Sequence, residues 1–212
     1  MNADYLNSAK QRFLYYKQLG DKTMDQLSDE QLFWQYNDAS NSIAIMVKHL
    51  WGNMMSRWTD FLTTDGEKDF RKRDEEFELR VGPSLQGVDT ANAEGVDNDA
   101  EGVNEHSRAV ITEKWEQGWA CLFTALDSIN EDNFDTTIYI RNQRHSIPEA
   151  VNRQMMHYAY HVGQMVYLGR MMKGEDWQSL SIPKGNSKAY DAEKFSQEKG
   201  KRHFTDEYLG KS

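Results

Sequence analysis

Two histidines lie four residues apart in the stretch HYAYHVGQMVYLGR (157–170), which otherwise has the composition of an apolar helix. Four residues advance about 6 Å along a helix and rotate about 40° past a full turn, so both rings project from one face. Two imidazoles placed in this way can hold one divalent metal ion. His157 and His161 are therefore candidate metal ligands. Tyr158 follows the first histidine where an HExxH motif has glutamate, which excludes that class of zinc protease.

A metal ion held by two histidines needs a third donor, and His49 is the best candidate. It lies in the segment MVKHLWGNMMSRW (46–58), beside the apolar stripe of a second predicted helix. In helix bundles, facing helices supply ligands to a shared interior site. The alternative is that the three histidines are packed core residues, although each buried imidazole without a hydrogen-bond partner would cost about 1–3 kcal/mol. The spacing alone leaves both interpretations open.

Three polar residues are candidates for the surroundings of such a site. Asn53 and Arg57 lie one and two helical turns beyond His49, and Gln164 follows His161 by three residues. An arginine at this place can clamp a carboxylate of a substrate or thiol cofactor, or it can form a surface ion pair. Arg141 and Arg144 are weaker candidates for the same role. The sequence identifies no catalytic residue and no anionic general base.

The remaining histidines are expected outside the site. His106 and His203 fall in or next to loose polar segments and are predicted to be solvated. His145 precedes the last long helix by two or three residues, where a surface loop is expected and the rim of the site is the alternative.

The elements that must position these residues are helices. Four segments have helical periodicity of apolar residues: about 4–27, a second that begins near Asn41 or Ser42, about 105–129, and the segment from SIPE (146–149) to Gly174. SDEQ (28–31) has the pattern of a capping box and predicts one short extra turn. TTIYIRNQRHSI (136–147) favours a short hairpin before the last helix. The sequence predicts an all-α fold, a four-helix bundle.

The sequence predicts a single domain of residues 1–190. Residues 82–104, rich in Gly, Asn and Asp, are predicted to form a flexible acidic loop inserted in the domain. RKRDEEFELR (71–80) is too charged for a core element. The chain beyond Glu175 is expected to be mostly irregular, with a polar tail at 191–212. Gly52, Gly118 and Gly163 each lie in the middle of a predicted helix, which favours close helix packing there or, equally, room for a small ligand.

Charge and composition exclude several classes of function. The formal net charge of −9 argues against nucleic acid and anionic membranes as partners, because both need a basic face. No segment reaches the length of an apolar membrane span, and the N-terminus does not have the apolar core of a signal peptide. The one cysteine, Cys121, permits no internal disulfide and is interpreted as a core residue. These features favour a cytoplasmic protein.

Three stretches resemble the DinB-like superfamily, and more narrowly its bacterial branch of small proteins of unknown function. They are residues 41–78 (NSIAIMVKHLWGNMMSRW to RDEEFE), 138–172 (IYIRNQRHSIPEAVNRQMMHYAYHVGQMVYLGRMM) and 177–187 (WQSLSIPKGNS). The resemblance implies an up-down-down-up four-helix bundle, usually a homodimer. One histidine in the second helix and HxxxH in the fourth match the metal signature of this superfamily, which implies His49, His157 and His161 as the ligands.

The resemblance also implies a range of activities. Characterised relatives include S-transferases and isomerases that use low-molecular-weight thiols, and some relatives are proposed to be metal-dependent hydrolases. Zinc or nickel is the expected ion, with iron or manganese as alternatives, and a thiol is a candidate co-substrate of a small-molecule reaction. The competing hypothesis is a non-catalytic dimeric bundle whose histidines are structural or vestigial.

Overall fold

A computed structural model describes residues 2–77 and 107–210 and shows a mostly helical protein. The described residues form six α-helices and one two-stranded sheet: α1 Asn2–Met24, α2 Asp29–Phe33, α3 Ile43–Trp58, α4 Arg108–Asp127, β1 Ile138–Ile140, β2 Gln143–His145, α5 Ile147–Lys173 and α6 Ser187–Ser196. The predicted acidic loop at 82–104 lies outside the described residues. The chain divides into two compact units, Met1–Leu27 with Val151–Ser212, and Ser28–Ala150.

Serine side chains fix where the helices begin, as the capping patterns predict. Ser28 forms a capping box with Gln31 at the start of α2. The buried Ser42 accepts a hydrogen bond from the backbone N–H of Ile45 at 3.1 Å and starts α3. At the start of α5, Ser146 accepts from the N–H of Glu149 and donates its own N–H to the carboxylate of that residue. Each bond satisfies a helix-terminal donor that would otherwise have no partner.

The unit Ser28–Ala150 is built on the packing of α4 against α3. Its fully buried large side chains are Leu32, Ile43, Ile45, Met46, Leu50, Met54, Ile111, Trp115, Trp119 and Leu122. Gly118 permits the close approach, because a Cβ there would lie 3.2 Å from the backbone of Trp51. On α4, Val110 is only half-buried, and its neighbour Ile111 fills the core.

The predicted hairpin is confirmed in the same unit. Ile138 pairs with His145 and Ile140 with Gln143 in antiparallel register. Arg141 and Asn142 make the two-residue turn with φ of 53° and 60°. Such turns require positive φ at both positions because their twist matches that of the strands.

The unit Met1–Leu27 with Val151–Ser212 contains α1, most of α5 and the C-terminal segment. Phe13 and Tyr158 pack ring to ring with centroids 5.8 Å apart. Trp177 packs on α5, where a Cβ at Gly169 would lie 3.2 Å from its ring. The segment beyond Glu175 is mostly irregular, as expected, although α6 adds ten residues of helix that the sequence did not predict.

No helix among the residues described is both long and apolar enough to cross a membrane.

Candidate metal centre

Helix α3 carries His49 on the same line as Asn53 and Arg57. The His49 side chain is 12% exposed, and the other two residues are buried. Since the helix repeats every 3.6 residues, positions four apart are neighbours on one face. The helix therefore presents the imidazole, the amide and the guanidinium in the predicted order.

A buried carboxylate holds the His49 ring. The Nδ1 atom of His49 lies 2.8 Å from Oε2 of Glu76, which belongs to a short 3₁₀ turn at Asp74–Phe77. The ring of Phe77, from the same turn, packs against the imidazole with centroids 5.0 Å apart. Because a carboxylate only accepts hydrogen bonds, Nδ1 carries the hydrogen and donates it. Nε2 of His49 is then the nitrogen with a lone pair available to a metal ion.

Arg71 in turn holds Glu76. Its Nε donates to Oε1 at 2.7 Å and its Nη2 donates to Oε2 at 2.9 Å, so the guanidinium grips the carboxylate with two bonds. The exposed fractions of the two side chains are 1% and 5%. Burial acts to raise the pKa of Glu76, but the hydrogen bonds from His49 and Arg71 and the arginine charge outweigh it and lower the pKa.

Gly52 makes room for this carboxylate. It follows His49 by three residues, so it lies on the neighbouring turn of α3. A Cβ at this position would lie 2.2 Å from Oε1 of Glu76. The predicted close packing at Gly52 is therefore confirmed, although the group that approaches is a side chain and not another helix.

Helix α5 presents the pair predicted from the HxxxH spacing. The rings of His157 and His161 lie with centroids 4.8 Å apart at an interplanar angle of 80°. Nδ1 of His161 lies 3.1 Å from Oε1 of Gln164, so an amide oxygen orients this ring from one turn away. Gln164 thus contacts a predicted ligand, as its spacing indicates. With Nδ1 donating to this amide oxygen, Nε2 of His161 is the ring nitrogen that carries the lone pair.

The three histidines form one group that can hold a metal ion. Their ligand atoms, one from each of His49, His157 and His161, all lie within 4.8 Å of one another. Around a tetrahedral zinc ion with Zn–N bonds of about 2.0–2.1 Å, two ligand nitrogens are about 3.3 Å apart. The donor set fits a divalent ion, because neutral imidazole suits zinc, nickel and iron.

Arg57 has partners in the loop that follows α3. Its Nη2 donates to Oε2 of Glu67 at 3.1 Å, and its Nη1 donates to the carbonyl of Gly66. Arg141 from the hairpin turn donates to the same carboxylate at 2.8 Å. Both guanidiniums therefore bind the chain itself, and their predicted contact with a substrate stays a prediction, as does that of the buried Asn53.

The two other histidines among the described residues, His145 and His203, do not belong to the group. His145 is the last residue of β2. His203 was expected to be solvated, which is wrong: it is half-buried, and its Nε2 and Nδ1 contact the hydroxyls of Ser8 at 3.0 Å and Thr205 at 2.7 Å. His106 lies outside the described residues.

Sequence reasoning missed Arg71 and Glu76. Both lie in the run RKRDEEFELR, which its charge marked as solvated, yet each side chain is almost fully buried. A charged run is normally exposed, since unpaired charges are expensive to bury. The indication that the sequence did contain is Gly52, because a glycine weakens the interior of a helix and calls for a packing reason there.

The chain matches a family to which no activity is assigned. A family model described as Protein of unknown function (DUF1572) matches residues 1–88 and 85–186. These two segments include all three histidines of the group. No curated protein and no solved structure matches the chain.

Proposed function

The chain belongs to this family of proteins of unknown function, and we propose that it is a metal-dependent enzyme whose ion is held by His49, His157 and His161. The observation that carries the proposal is the convergence of three imidazole ligand atoms within 4.8 Å. His49 precedes the other two by more than a hundred residues, so its approach to them is a property of the fold and not of local sequence.

An open site is the reason to propose catalysis. Three protein ligands leave at least one coordination position for water or substrate, whereas structural zinc sites are closed by four. All three ligands are neutral, so the ion keeps its double positive charge. When bound, such an ion supplies Lewis-acid chemistry that acidifies a water or a thiol. Glu76 orients the ring of His49, and Gln164 orients the ring of His161.

The resemblance to the DinB-like superfamily supports the finer details of this proposal. It favours an up-down-down-up arrangement of four long helices, zinc or nickel as the ion, and a homodimer in the cytoplasm. It also favours transfer of a low-molecular-weight thiol to a small electrophile, or hydrolysis of such an electrophile.

Metal analysis of the purified protein tests the site. We expect one ion per chain in the wild type, and less than about one fifth of an ion in His49→Ala and His157→Ala, because two imidazoles alone bind weakly. His145→Ala is the matched control, since this histidine lies outside the group, and it should keep the full metal content. A wild type without metal after loading with zinc, nickel, iron and manganese would refute the site.

Turnover assays then test the reaction. The loaded protein is mixed with bacillithiol, mycothiol or glutathione and a panel of small electrophiles, and also with the electrophiles alone. Turnover that disappears in His157→Ala supports the enzyme. A protein that binds its ion stoichiometrically and turns over no electrophile would instead be a non-catalytic metal-binding bundle.

A further inference from the structure

We propose that Glu76 and Arg71 are positioning residues that fix the tautomer and orientation of His49, so that Nε2 is its metal-binding atom. This inference rests on the proposed metal site and assigns a role to two residues that touch neither substrate nor ion. Arg71 acts through Glu76, and Glu76 acts through His49.

The geometry holds the imidazole by two contacts from one turn of chain. The carboxylate of Glu76 accepts the Nδ1 hydrogen at 2.8 Å, and the ring of Phe77 packs against the imidazole. A carboxylate that accepts from the far nitrogen of a metal-bound histidine fixes its tautomer and raises its basicity. The 3₁₀ turn at Asp74–Phe77 therefore determines which nitrogen His49 can offer.

Glu76 is unsuited to act as the general base of the reaction. Its Oε1 accepts from Nε of Arg71, and its Oε2 accepts from both Nη2 of Arg71 and Nδ1 of His49. The side chain is 5% exposed. A general base must reach the proton that it removes, and this carboxylate has both oxygens occupied inside the protein.

A role in stability alone does not explain the arrangement. Well-packed apolar residues are often as good as a buried ion pair or better, because two charges lose their hydration. The glycine at position 52 also weakens α3 to admit the carboxylate. A fold that only needed a stable core would fill this space with apolar side chains. The geometry of the His49 ring is what the carboxylate adds.

The first test measures the tautomer in metal-free protein. In ¹⁵N-histidine-labelled wild type, the neutral His49 ring should be in the Nδ1–H form, with His49→Gln used for assignment. In Glu76→Ala the Nε2–H form should gain population, because the acceptor at Nδ1 is gone. Glu75→Gln is the matched control: its carboxylate lies in the same turn but is 54% exposed and pairs with Lys72.

The second test measures zinc and nickel affinity. Glu76→Gln, which keeps the shape of the side chain and loses its charge, should bind metal about 10-fold more weakly, and Glu76→Ala should lose up to about 100-fold. Arg71→Lys should fall between wild type and Glu76→Gln, since an ammonium cannot grip the carboxylate with two parallel bonds. Glu75→Gln should bind as the wild type does.

The outcomes separate this inference from the proposed function. Wild-type affinity in Glu76→Gln, or in a folded Glu76→Ala that keeps the Nδ1–H form, would overturn the positioning role and leave the metal site standing. A wild type that binds no metal would end the proposed function, while the tautomer measurement would still decide whether Glu76 controls His49. If Glu76→Ala does not fold, Glu76→Gln and Arg71→Lys decide the question through their affinities.

Discussion

At the scale of single residues, the missing side chain at Gly52 leaves the space in which the carboxylate of Glu76 is buried. Oε1 of Glu76 occupies the position that a side chain at residue 52 would take. The carboxylate cannot simply swing away, because Arg71 and His49 hold both of its oxygens. The absence of a methyl group at one position therefore permits three polar side chains to meet inside the protein.

Gly52→Ala should destabilise the protein even though alanine favours helix. The gain in helix propensity is about 1 kcal/mol, and the cost of forcing a methyl group into a packed site is about 1–3 kcal/mol. The added Cβ would lie 2.2 Å from Oε1, so we expect the cost to exceed the gain. The free energy of unfolding in guanidinium chloride measures the difference.

Gly163→Ala is the matched control in α5. This glycine is exposed, and a Cβ there would have no atom within 4 Å. The substitution should stabilise the protein by up to about 1 kcal/mol, since only the propensity changes. A Gly52→Ala protein that is as stable as Gly163→Ala would contradict the packing argument.

The candidate ligands could be predicted from sequence, whereas the group around them could not. The spacing of His157 and His161 places two rings on one face of any helix, and His49 followed as a third donor. Close packing was predicted at Gly52, Gly118 and Gly163, but the structure shows close neighbours only at the first two. Which atoms approach a glycine depends on the tertiary arrangement, and no local pattern encodes it.

At the scale of elements, two carboxylates in one loop connect helix α3 to the hairpin. Asp65 accepts hydrogen bonds from the backbone N–H groups of Arg141 and Asn142, both at 2.8 Å, so these two donors of the hairpin turn have a partner. Glu67 accepts from Arg57 of α3 at 3.1 Å and from Arg141 at 2.8 Å. The loop after α3 therefore anchors the hairpin through its acidic residues.

Glu67→Gln should destabilise the protein at neutral pH by about 1–3 kcal/mol, because charge-assisted hydrogen bonds become weaker. Burial acts to raise the pKa of Glu67, but the bonds and charges of Arg141 and Arg57 lower it below its ordinary value of 4.5. A lowered pKa in the folded state contributes stability above pH 4.5, and that contribution is lost as the pH falls through the folded-state pKa.

Urea unfolding at a series of pH values measures this dependence. The difference in unfolding free energy between wild type and Glu67→Gln should be constant from pH 7 down to about pH 5, and it should shrink below the ordinary pKa of 4.5. Glu131→Gln, at an exposed position, should track the wild type at every pH. A difference that grows in acid would show that Glu67 is not held as a carboxylate.

Helix starts were more predictable than helix ends and loops. The serines at 28, 42 and 146 cap the helices that their sequence patterns indicate, because a cap depends on residues within one turn. The hairpin was predicted from the β-branched and aromatic residues around Asn142. Helix α6 was missed, since its residues are mostly exposed and offer little apolar periodicity to recognise.

At the scale of the whole molecule, the metal site links ligand binding to folding. His49 precedes the α5 pair by more than a hundred residues in the chain. An unfolded chain holds such distant ligands together only rarely, so a metal ion should bind the folded state far more tightly. Binding to the folded state alone stabilises it by mass action.

Saturating metal should therefore stabilise the protein. At a free metal concentration of 100 times the Kd, the unfolding free energy should rise by about 2.7 kcal/mol. Thermal unfolding with and without zinc or nickel, reversed by a chelator, measures the effect. His157→Ala, with one ligand removed, should show almost no shift. Equal shifts in both proteins would indicate that metal binds elsewhere.

The mostly helical class was predictable from apolar periodicity. The HxxxH spacing encodes the pair His157 and His161, whereas the spacing alone left open whether His49 joins them. The acidic segment at 82–104, the homodimer and the cytoplasmic location stay predictions. They depend on residues outside those described or on partners that a single chain does not contain.

The contact between Gly52 and Glu76 has a consequence for the evolution of the family. Any natural substitution that gives residue 52 a side chain removes the place of the carboxylate, so the two positions should change together. A family member with alanine or serine at 52 is expected to have a shorter residue at 76. The residue at 71 should then vary, because the carboxylate that Arg71 binds is gone. Covariation of these three positions across the family would record the same constraint that the packing imposes within one molecule.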